Sequence, residues 1–450
     1  MSRQGLCVRG AIVTATIVHG LEEAGDVNPH YMDHLVATAG DFEVEVIEDI
    51  VSGNGIKLLA KGARVDAGTR ERLLDHKLSR PLEACLGVAG GVSGPEIQAQ
   101  AEALLEQHAL LHALAGHDRA QPVAQSLGKL KLGGPLQSLL TVYASQPGGR
   151  LAHAVGVALI AMSLGRRLLP GDIEMHRRLG TAGLVHDVGE LYIEPVVMER
   201  GGTVEAEQWR QIVSHPVVGH RVLSGLQGGA VLADLVLSHH ERLDGFGYPR
   251  GLSGREFALP AQMLAAAEWL MGLMDAGGMP ITHSSVATKL IPGEFSDALI
   301  DTLRQAARGC EGPDHVLDPD RGLADALPRA LRVSELLARF RSSRVQLRER
   351  AVGASPELRS LLDLCLQRML QLQSAFSSAG LDASHPQTVV KQLVAEEGAV
   401  QLEVLALLRE FHWRMRQLER ELRLRSASLG EADRRMVADL IAAVKDGAKS

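Results

Sequence analysis

The stretch SHHERLDGFGYPRGLSG, residues 238–254, sets His239 beside His240 and then turns at once through Asp244-Gly245-Phe246-Gly247-Tyr248-Pro249. Two histidines, two carboxylates and four glycines share seventeen positions. A core helix has no use for paired imidazoles, and a plain surface loop has no need of them. A metal site uses both features. Imidazole supplies ligand nitrogens, and glycine lets the backbone adopt the angles of a sharp turn.

Further ligand candidates lie upstream. His153 sits in RLAHAVGVALIAMSLGRRLL (150–169), which reads as one helix. His186 and Asp187 sit in LVHDVGE (184–190), and His215 opens HPVVG (215–219). The helix that carries the His-Asp pair, EMHRRLGTAGLVHDVGE, is expected to end at Gly189, a residue suited to a left-handed cap. Each candidate has an ordinary reading of its own. His153 could pack on an apolar helix, His186-Asp187 could be a helix-end ion pair, and His215 before Pro216 could cap a turn. His176 and His220 keep such ordinary readings. The others occur in a definite order and end in the glycine turn.

Imidazole and carboxylate together suit borderline or hard divalent cations such as Fe, Mn, Zn, Ni or Co. Neighbours on a helix point about 100° apart. His186 can therefore serve one cation while Asp187 reaches a second, because a carboxylate has two oxygens and can bridge. Two cations about 3.5–4 Å apart are a recurrent device for hydrolysing phosphodiesters. The chain has no GxSxG elbow and no GxxxxGK[ST] phosphate loop, so neither covalent serine chemistry nor P-loop chemistry has a foothold.

On these residues the sequence resembles the HD-GYP phosphodiesterases of the HD metal-dependent phosphohydrolase superfamily. The likeness runs through His153, LVHDVGE, HPVVG, HHERLDGFGYPRGLSG and the following helix ALPAQMLAAAEWL, over roughly residues 140–310. It implies an all-helical catalytic domain that hydrolyses cyclic di-GMP, to pGpG or GMP, by metal-activated water. It implies that His153, His186 and Asp187 hold one metal. Asp187 also bridges to a second, held by His215, His239 and His240. Asp244, Gly245, Gly247, Tyr248 and Pro249 match the signature turn beside the metals, where substrate binds. Glu268 stands where the family places a ligating aspartate, one methylene longer. Glu190 stands where the family has a phosphate-reaching lysine, which puts a negative charge beside a phosphodiester and makes Glu190, with Asp187, the residue to test for catalysis. Gly149 stands where three-metal members carry a glutamate. Two divalent ions, Fe or Mn, are therefore expected. The arginine-bearing stretch that usually follows is replaced by GLMDAGGMPITHSSVATKLIP (272–292). A regulatory module that binds nucleotide without much hydrolysis, and a hydrolase acting on another phosphoester, are the alternatives.

Composition bounds the rest. The chain has 450 residues, 46% of them hydrophobic, which is enough for several buried cores. A formal charge of -7 and a pI near 6.2 argue against a broad basic face for a nucleic-acid polymer. Aromatics are scarce at 3%, with Ala and Leu abundant, which predicts a mainly α chain. Cys7, Cys85, Cys310 and Cys365 form no CxxC pair, so a reducing compartment fits. No stretch reads as a membrane span, and Ala11–Val18 reads as a strand rather than a signal peptide. A cytoplasmic protein is expected.

Four regions are predicted. Residues 1–115 form a small α+β module. There Phe42, Val44 and Val46 alternate with acids, Asn54-Gly55 makes a hairpin turn, and helices follow near 68–76 and 95–115. Residues 116–135, polar and dotted with glycine, are a linker. Residues 136–315 are the catalytic domain, and residues 330–450 a helical hairpin or bundle. In that last region Leu358, Leu362, Cys365, Met369 and Leu372 recur in steps of three and four, as do Val404, Leu408, Phe411, Met415, Leu418 and Leu422. Such seams serve either internal packing or contact with a second copy or a signalling partner.

Overall fold

The structure is a computed structural model that describes residues 26–116, 121–195, 206–275, 293–308, 354–378, 398–427 and 429–445, with single positions between 310 and 349. The described residues fall into two compact units. One draws on Met1–Val204, Arg210–Asp275 and Phe295–Cys310; the other on Glu205–Trp209, Ala276–Glu294 and Glu311–Ser450.

The first unit opens with α1 (Pro29–Thr38), capped by Asn28, whose side chain accepts the Tyr31 N–H at 2.9 Å. Strand β1 (Glu43–Val46) alternates as the sequence predicts, with both valines buried and both glutamates exposed. Strands β2 (Ile50–Val51) and β3 (Lys57–Leu59) form the expected hairpin, with Gly55 in the turn at φ 82°. Helix α2 (Ala67–Leu74) follows. The partner of β1 is β4 (Leu86–Ala89), antiparallel, with Val44 opposite Val88. That pairing spans some forty residues and has no local signal. The proposed strand at Ala11–Val18 and Cys7 lie outside the described residues.

Helices α3 (Gly94–Gln107) and α4 (Ala109–Ala115) come next. The segment expected as a linker then carries α5 (Val123–Gly128), with Val123, Ala124 and Leu127 buried. It packs on α3, where Gly94 lies so close to Gly128 that a Cβ would sit 2.2 Å from the Gly128 carbonyl oxygen. The polar, glycine-rich text of this stretch thus encodes a tight helix contact. Helix α6 (Gly134–Ala144) joins the strands to the helices. Its Ser138 and Thr141 hydroxyls accept the Val88 and Val92 N–H groups at 3.1 and 3.0 Å.

The core is built round α7 (Arg150–Leu168), in which every residue from Ala154 to Gly165 is buried. A helix apolar on all sides is stable only when it is surrounded. By length and composition α7 could cross a membrane, contrary to the sequence expectation, but 67% of that stretch is buried among its neighbours. Helices α8 (Ile173–Val185), α9 (Ala206–Ser224), α10 (Ala230–Leu237), α11 (Leu259–Asp275) and α12 (Asp297–Arg308) complete the unit, and α8, α11 and α12 pack on α7. Glycines set the spacing. A Cβ on Gly183 of α8 would lie 2.4 Å from the Ala158 Cα of α7, and one on Gly156 would lie 2.3 Å from the Met271 sulfur of α11.

Helix α8 ends at Val185, earlier than expected, and a short 3-10 helix runs from Val188 to Tyr192. Gly189 is not a left-handed cap. It is a contact point, since a Cβ there would meet the His215 carbonyl oxygen at 2.1 Å and the Gly219 nitrogen at 2.8 Å. The HD turn is thereby pressed against the HPVVG segment of α9.

The second unit contains α13 (Pro356–Ser378), α14 (Gly398–Ser426) and α15 (Glu431–Lys445). Ser355 caps α13, accepting the Leu358 N–H at 3.1 Å. The seam positions Leu358, Leu362, Cys365, Met369 and Leu372 are buried, as are Leu408, Phe411, Met415, Leu418 and Leu422. The Val404 side chain and the joining segment lie outside the described residues. Buried charge lies alongside the seams, where Glu294 accepts from Arg368 and Arg414, each at 2.7 Å.

Candidate metal centre

Five elements bring the candidate ligands together. His153 comes from the first turn of α7, His186 and Asp187 from the end of α8, and His215 from α9. His239 and His240 follow α10, and Glu268 comes from α11. Their ligand atoms form two groups, each within 4.8 Å: His153, His186, Asp187 and Glu268, and Asp187, His215, His239 and His240.

Asp187 belongs to both groups, one oxygen to each. Oδ2 lies 3.1 Å from His186 Nε2 and 3.7 Å from His153 Nε2. Oδ1 lies 3.3 Å from both His215 Nε2 and His239 Nε2. Glu268 Oε2 closes the first group at 3.1 Å from both His153 Nε2 and His186 Nε2. The longer glutamate therefore reaches the cluster. The His240 ring lies 4.2 Å from that of His239 and stacks on Tyr248 at 4.6 Å. His176 and His220 stay outside. His176 bonds the Leu169 carbonyl, and His220 lies near exposed Asp234.

The histidines point inward because their other nitrogens are held. Nδ1 of His186, His215 and His239 each meets a carbonyl three residues earlier: Gly183 at 2.8 Å, Ile212 at 2.6 Å and Val236 at 2.5 Å. A carbonyl only accepts, so Nδ1 donates and the Nε2 lone pair is left for the centre. Two of these carbonyls, those of Gly183 and Ile212, are ones that their helices leave open. Gly183 lies in the last turn of α8, where carbonyls lack helical partners, and Val236 lies in the last turn of α10, where its carbonyl is also reached by the Ser238 and His239 N–H groups, the latter at 3.4 Å. Ile212 lies inside α9, but the residue four positions on is Pro216, which has no N–H. Pro216 thus frees the carbonyl that orients His215. Pro216→Ala should restore the competing N–H. We expect metal affinity at the His215 group to fall several-fold in a calorimetric titration, with the metal-free melting temperature unchanged or raised.

The residues fit a cation. His186 Nε2 and Asp187 Oδ1 are buried with no hydrogen-bond partner, and two lone-pair-bearing nitrogens, of His215 and His239, face each other at 2.9 Å. Such an arrangement is costly unless positive charge fills it. The same demand shows in the titration. Burial lowers His186, but Asp187 and Glu268 outweigh it and raise it to about 10. Burial, then His239 and His215, hold His240 well below its ordinary value, which keeps that ring neutral. Nitrogen and carboxylate donors suit Fe, Mn, Zn or Co.

Beside Asp187 lies a chain of polar groups. Tyr143 donates its hydroxyl hydrogen to Asp187 Oδ2 at 3.3 Å, and Arg150 lies over the Tyr143 ring at 5.3 Å. Arg150 Nη1 is ion-paired with Glu190 Oε2. Glu190 is therefore not the uncompensated negative charge that the sequence suggested, because a cation from α7 sits against it. Burial, then Asp187, push the Glu190 carboxyl up to about 7 against the pull of Arg150. Arg150 was legible in principle, lying three residues before His153 on one helix face.

The signature turn is a scaffold. Asp244 Oδ1 accepts the Phe246 N–H at 3.1 Å, and Gly245 adopts φ 82°. A Cβ on Gly247 would meet the Arg242 nitrogen at 2.2 Å. Gly247, Tyr248 and Pro249 are buried, whereas Asp244 and Gly245 are partly exposed. Glu241, which carried no assigned role in the sequence, closes the loop: its buried carboxylate accepts the N–H groups of Arg250 and Leu252 at 2.6 and 2.9 Å. Glu241→Ala leaves both donors without that partner, at a cost of about 1–3 kcal/mol each if they stay dry. We expect a lower melting temperature and weaker metal binding at the His239–His240 side first, read by metal content per chain.

Comparison with known proteins finds relatives over the part of the chain that carries this cluster. Residues 137–285 match the family model described as HD domain. A 3'3'-cGAMP-specific phosphodiesterase of Vibrio cholerae is 26% identical over 274 residues, 59% of this chain and 57% of that protein. A second 3'3'-cGAMP-specific phosphodiesterase of Vibrio cholerae is 33% identical over 124 residues, 28% of each chain. A cyclic di-GMP phosphodiesterase of Pseudomonas aeruginosa is 35% identical over 118 residues, 26% of this chain and 28% of that protein. The chain thus spans 57% of the first relative's length and 28% of the length of the other two. The match to the HD domain family thus spans residues 137–285, and the His-Asp pair, the paired histidines and the DGFGYP turn all lie within it.

Proposed function

We propose that this protein is a metal-dependent phosphodiesterase that opens cyclic dinucleotides, cyclic di-GMP foremost, to pGpG or GMP. The observation that carries the reading is the split of Asp187, whose two oxygens face separate ligand groups. In this reading His153, His186, Asp187 and Glu268 hold one divalent ion, Fe or Mn, and Asp187, His215, His239 and His240 hold the other. When bound, such ions supply the Lewis acidity that activates water and neutralises phosphoryl oxygens. The protein fixes the Nε2 lone pairs of His186, His215 and His239 inward and keeps His240 neutral. It also sets Arg150, Tyr143 and Glu190 as a charge-balanced edge beside Asp187. Asp244 and Gly245, partly exposed on the signature turn, are the part of that loop open to substrate. The names of the relatives support a cyclic dinucleotide as substrate, cyclic di-GMP for some of them and 3'3'-cGAMP for others.

The test is turnover by protein loaded anaerobically with Fe(II) or Mn(II), with metal measured on the same sample. Cyclic di-GMP, 3'3'-cGAMP, pGpG and a simple phosphomonoester form the panel. Linear products from the cyclic dinucleotides are expected. Turnover of the monoester alone would move the reading to another phosphoester. Nucleotide binding without turnover, at full metal content, would favour a regulatory module.

A further inference from the structure

Three of the inward histidines are held by the backbone carbonyl three residues earlier, at a helix end or ahead of a proline, but His153 is not. It sits in the first turns of α7, where its backbone N–H bonds the Gly149 carbonyl at 3.1 Å and the helix continues unbroken to Leu168. The carbonyl three residues earlier, that of Arg150, is engaged within the helix. His153 therefore needs a partner from elsewhere. The partner is Asp275, the last residue of α11, whose Oδ2 lies 2.6 Å from His153 Nδ1. Asp275 follows Glu268 by seven residues, two helical turns, so the two carboxylates lie on one face of α11. Glu268 meets His153 at Nε2 and Asp275 meets it at Nδ1.

We infer that Asp275 is the positioning residue of the His153 metal group, holding the imidazole in the tautomer and rotation that turn Nε2 toward Asp187 and Glu268. This rests on the metal-centre reading above. It goes further in assigning the two groups different supports: helix carbonyls on the His215 and His239 side, and a side-chain carboxylate on the His153 side. A carboxylate from a distant helix can be removed without touching α7, whereas the carbonyls cannot. Outer partners of this kind typically control metal affinity by about 10–100-fold.

The test compares wild type, Asp275→Ala, Asp275→Asn and His153→Ala by titration with Mn(II) and by metal content per chain, alongside the melting temperature of each metal-free protein. Wild type should take two ions. Asp275→Ala should keep one at wild-type affinity and bind the other about 10–100-fold more weakly, the same pattern as His153→Ala in milder form. Asp275→Asn should restore part of the loss, because its amide oxygen still accepts the Nδ1–H. Metal-free melting should be little changed. Two ions bound by Asp275→Ala at wild-type affinity would overturn the inference. Equal weakening of both groups with a lower metal-free melting temperature would also overturn it, since that is the mark of a structural role. A wild type that takes no metal would instead overturn the metal-centre reading itself, and this inference with it.

Discussion

Asp187→Ala should strip the protein of both metal ions, not one. Oδ2 faces His153 and His186, and Oδ1 faces His215 and His239, each at 3.1–3.7 Å. Each group would lose a ligand and the negative charge that offsets its cation. Two neighbouring dications repel, and the carboxylate between them is the group that makes their joint occupancy tolerable. The remaining carboxylate, Glu268, reaches only the first group. Turnover should fall by roughly a thousandfold or more, beyond the 10–100-fold that outer partners control. Asp187→Asn is the graded control. It keeps one acceptor oxygen but no charge, so a single ion bound weakly is expected. Elemental analysis of the purified variants reads both outcomes. An alanine variant that keeps two ions would show that Asp187 is no bridge.

What could be read from the sequence was what lies close along the chain. His186 with Asp187, His239 with His240, and the DGFGYP turn are local patterns, and their meaning survives folding. Val44 and Val46 alternate with glutamates because one sheet face is wet, so β1 was legible, while its pairing with β4 was not. The α13 and α14 seams were legible by period. The Glu294–Arg368–Arg414 cluster beside them was not, because buried charges look like a solvated face. Gly189 and Gly128 illustrate a second limit. A glycine read as a cap or a linker residue turned out to mark a close backbone approach, and only the partner helix distinguishes these. In the site, Pro216 was visible but mute, since its role is to leave Ile212 open. Arg150 and Asp275 each lie on the same helix face as a ligand, at spacings of three and seven, yet nothing local says that they face inward.

Glu190→Lys tests whether the lysine that the family resemblance predicts would improve this site, and the structure argues that it would not. Glu190 Oε2 is ion-paired with Arg150, and the two side chains are only 11% and 24% exposed. A lysine would set an ammonium against that guanidinium where water screens them poorly. Breaking a buried pair costs about 3–5 kcal/mol, and this partly screened pair should fall below that range, at about 2–3 kcal/mol. We expect a melting temperature lower by several degrees. Arg150 would also leave its place over Tyr143, loosening the hydroxyl that donates to Asp187. Turnover should therefore drop, with metal content largely kept, because no ligand is touched. Glu190→Gln should fall between, since it can still accept from Arg150 without charge. The exchange Arg150→Glu with Glu190→Arg should recover most of the stability, because the pair is rebuilt. If Glu190→Lys instead raises turnover at unchanged metal content, then a cation at position 190 was what the substrate lacked, and Arg150 does not supply it.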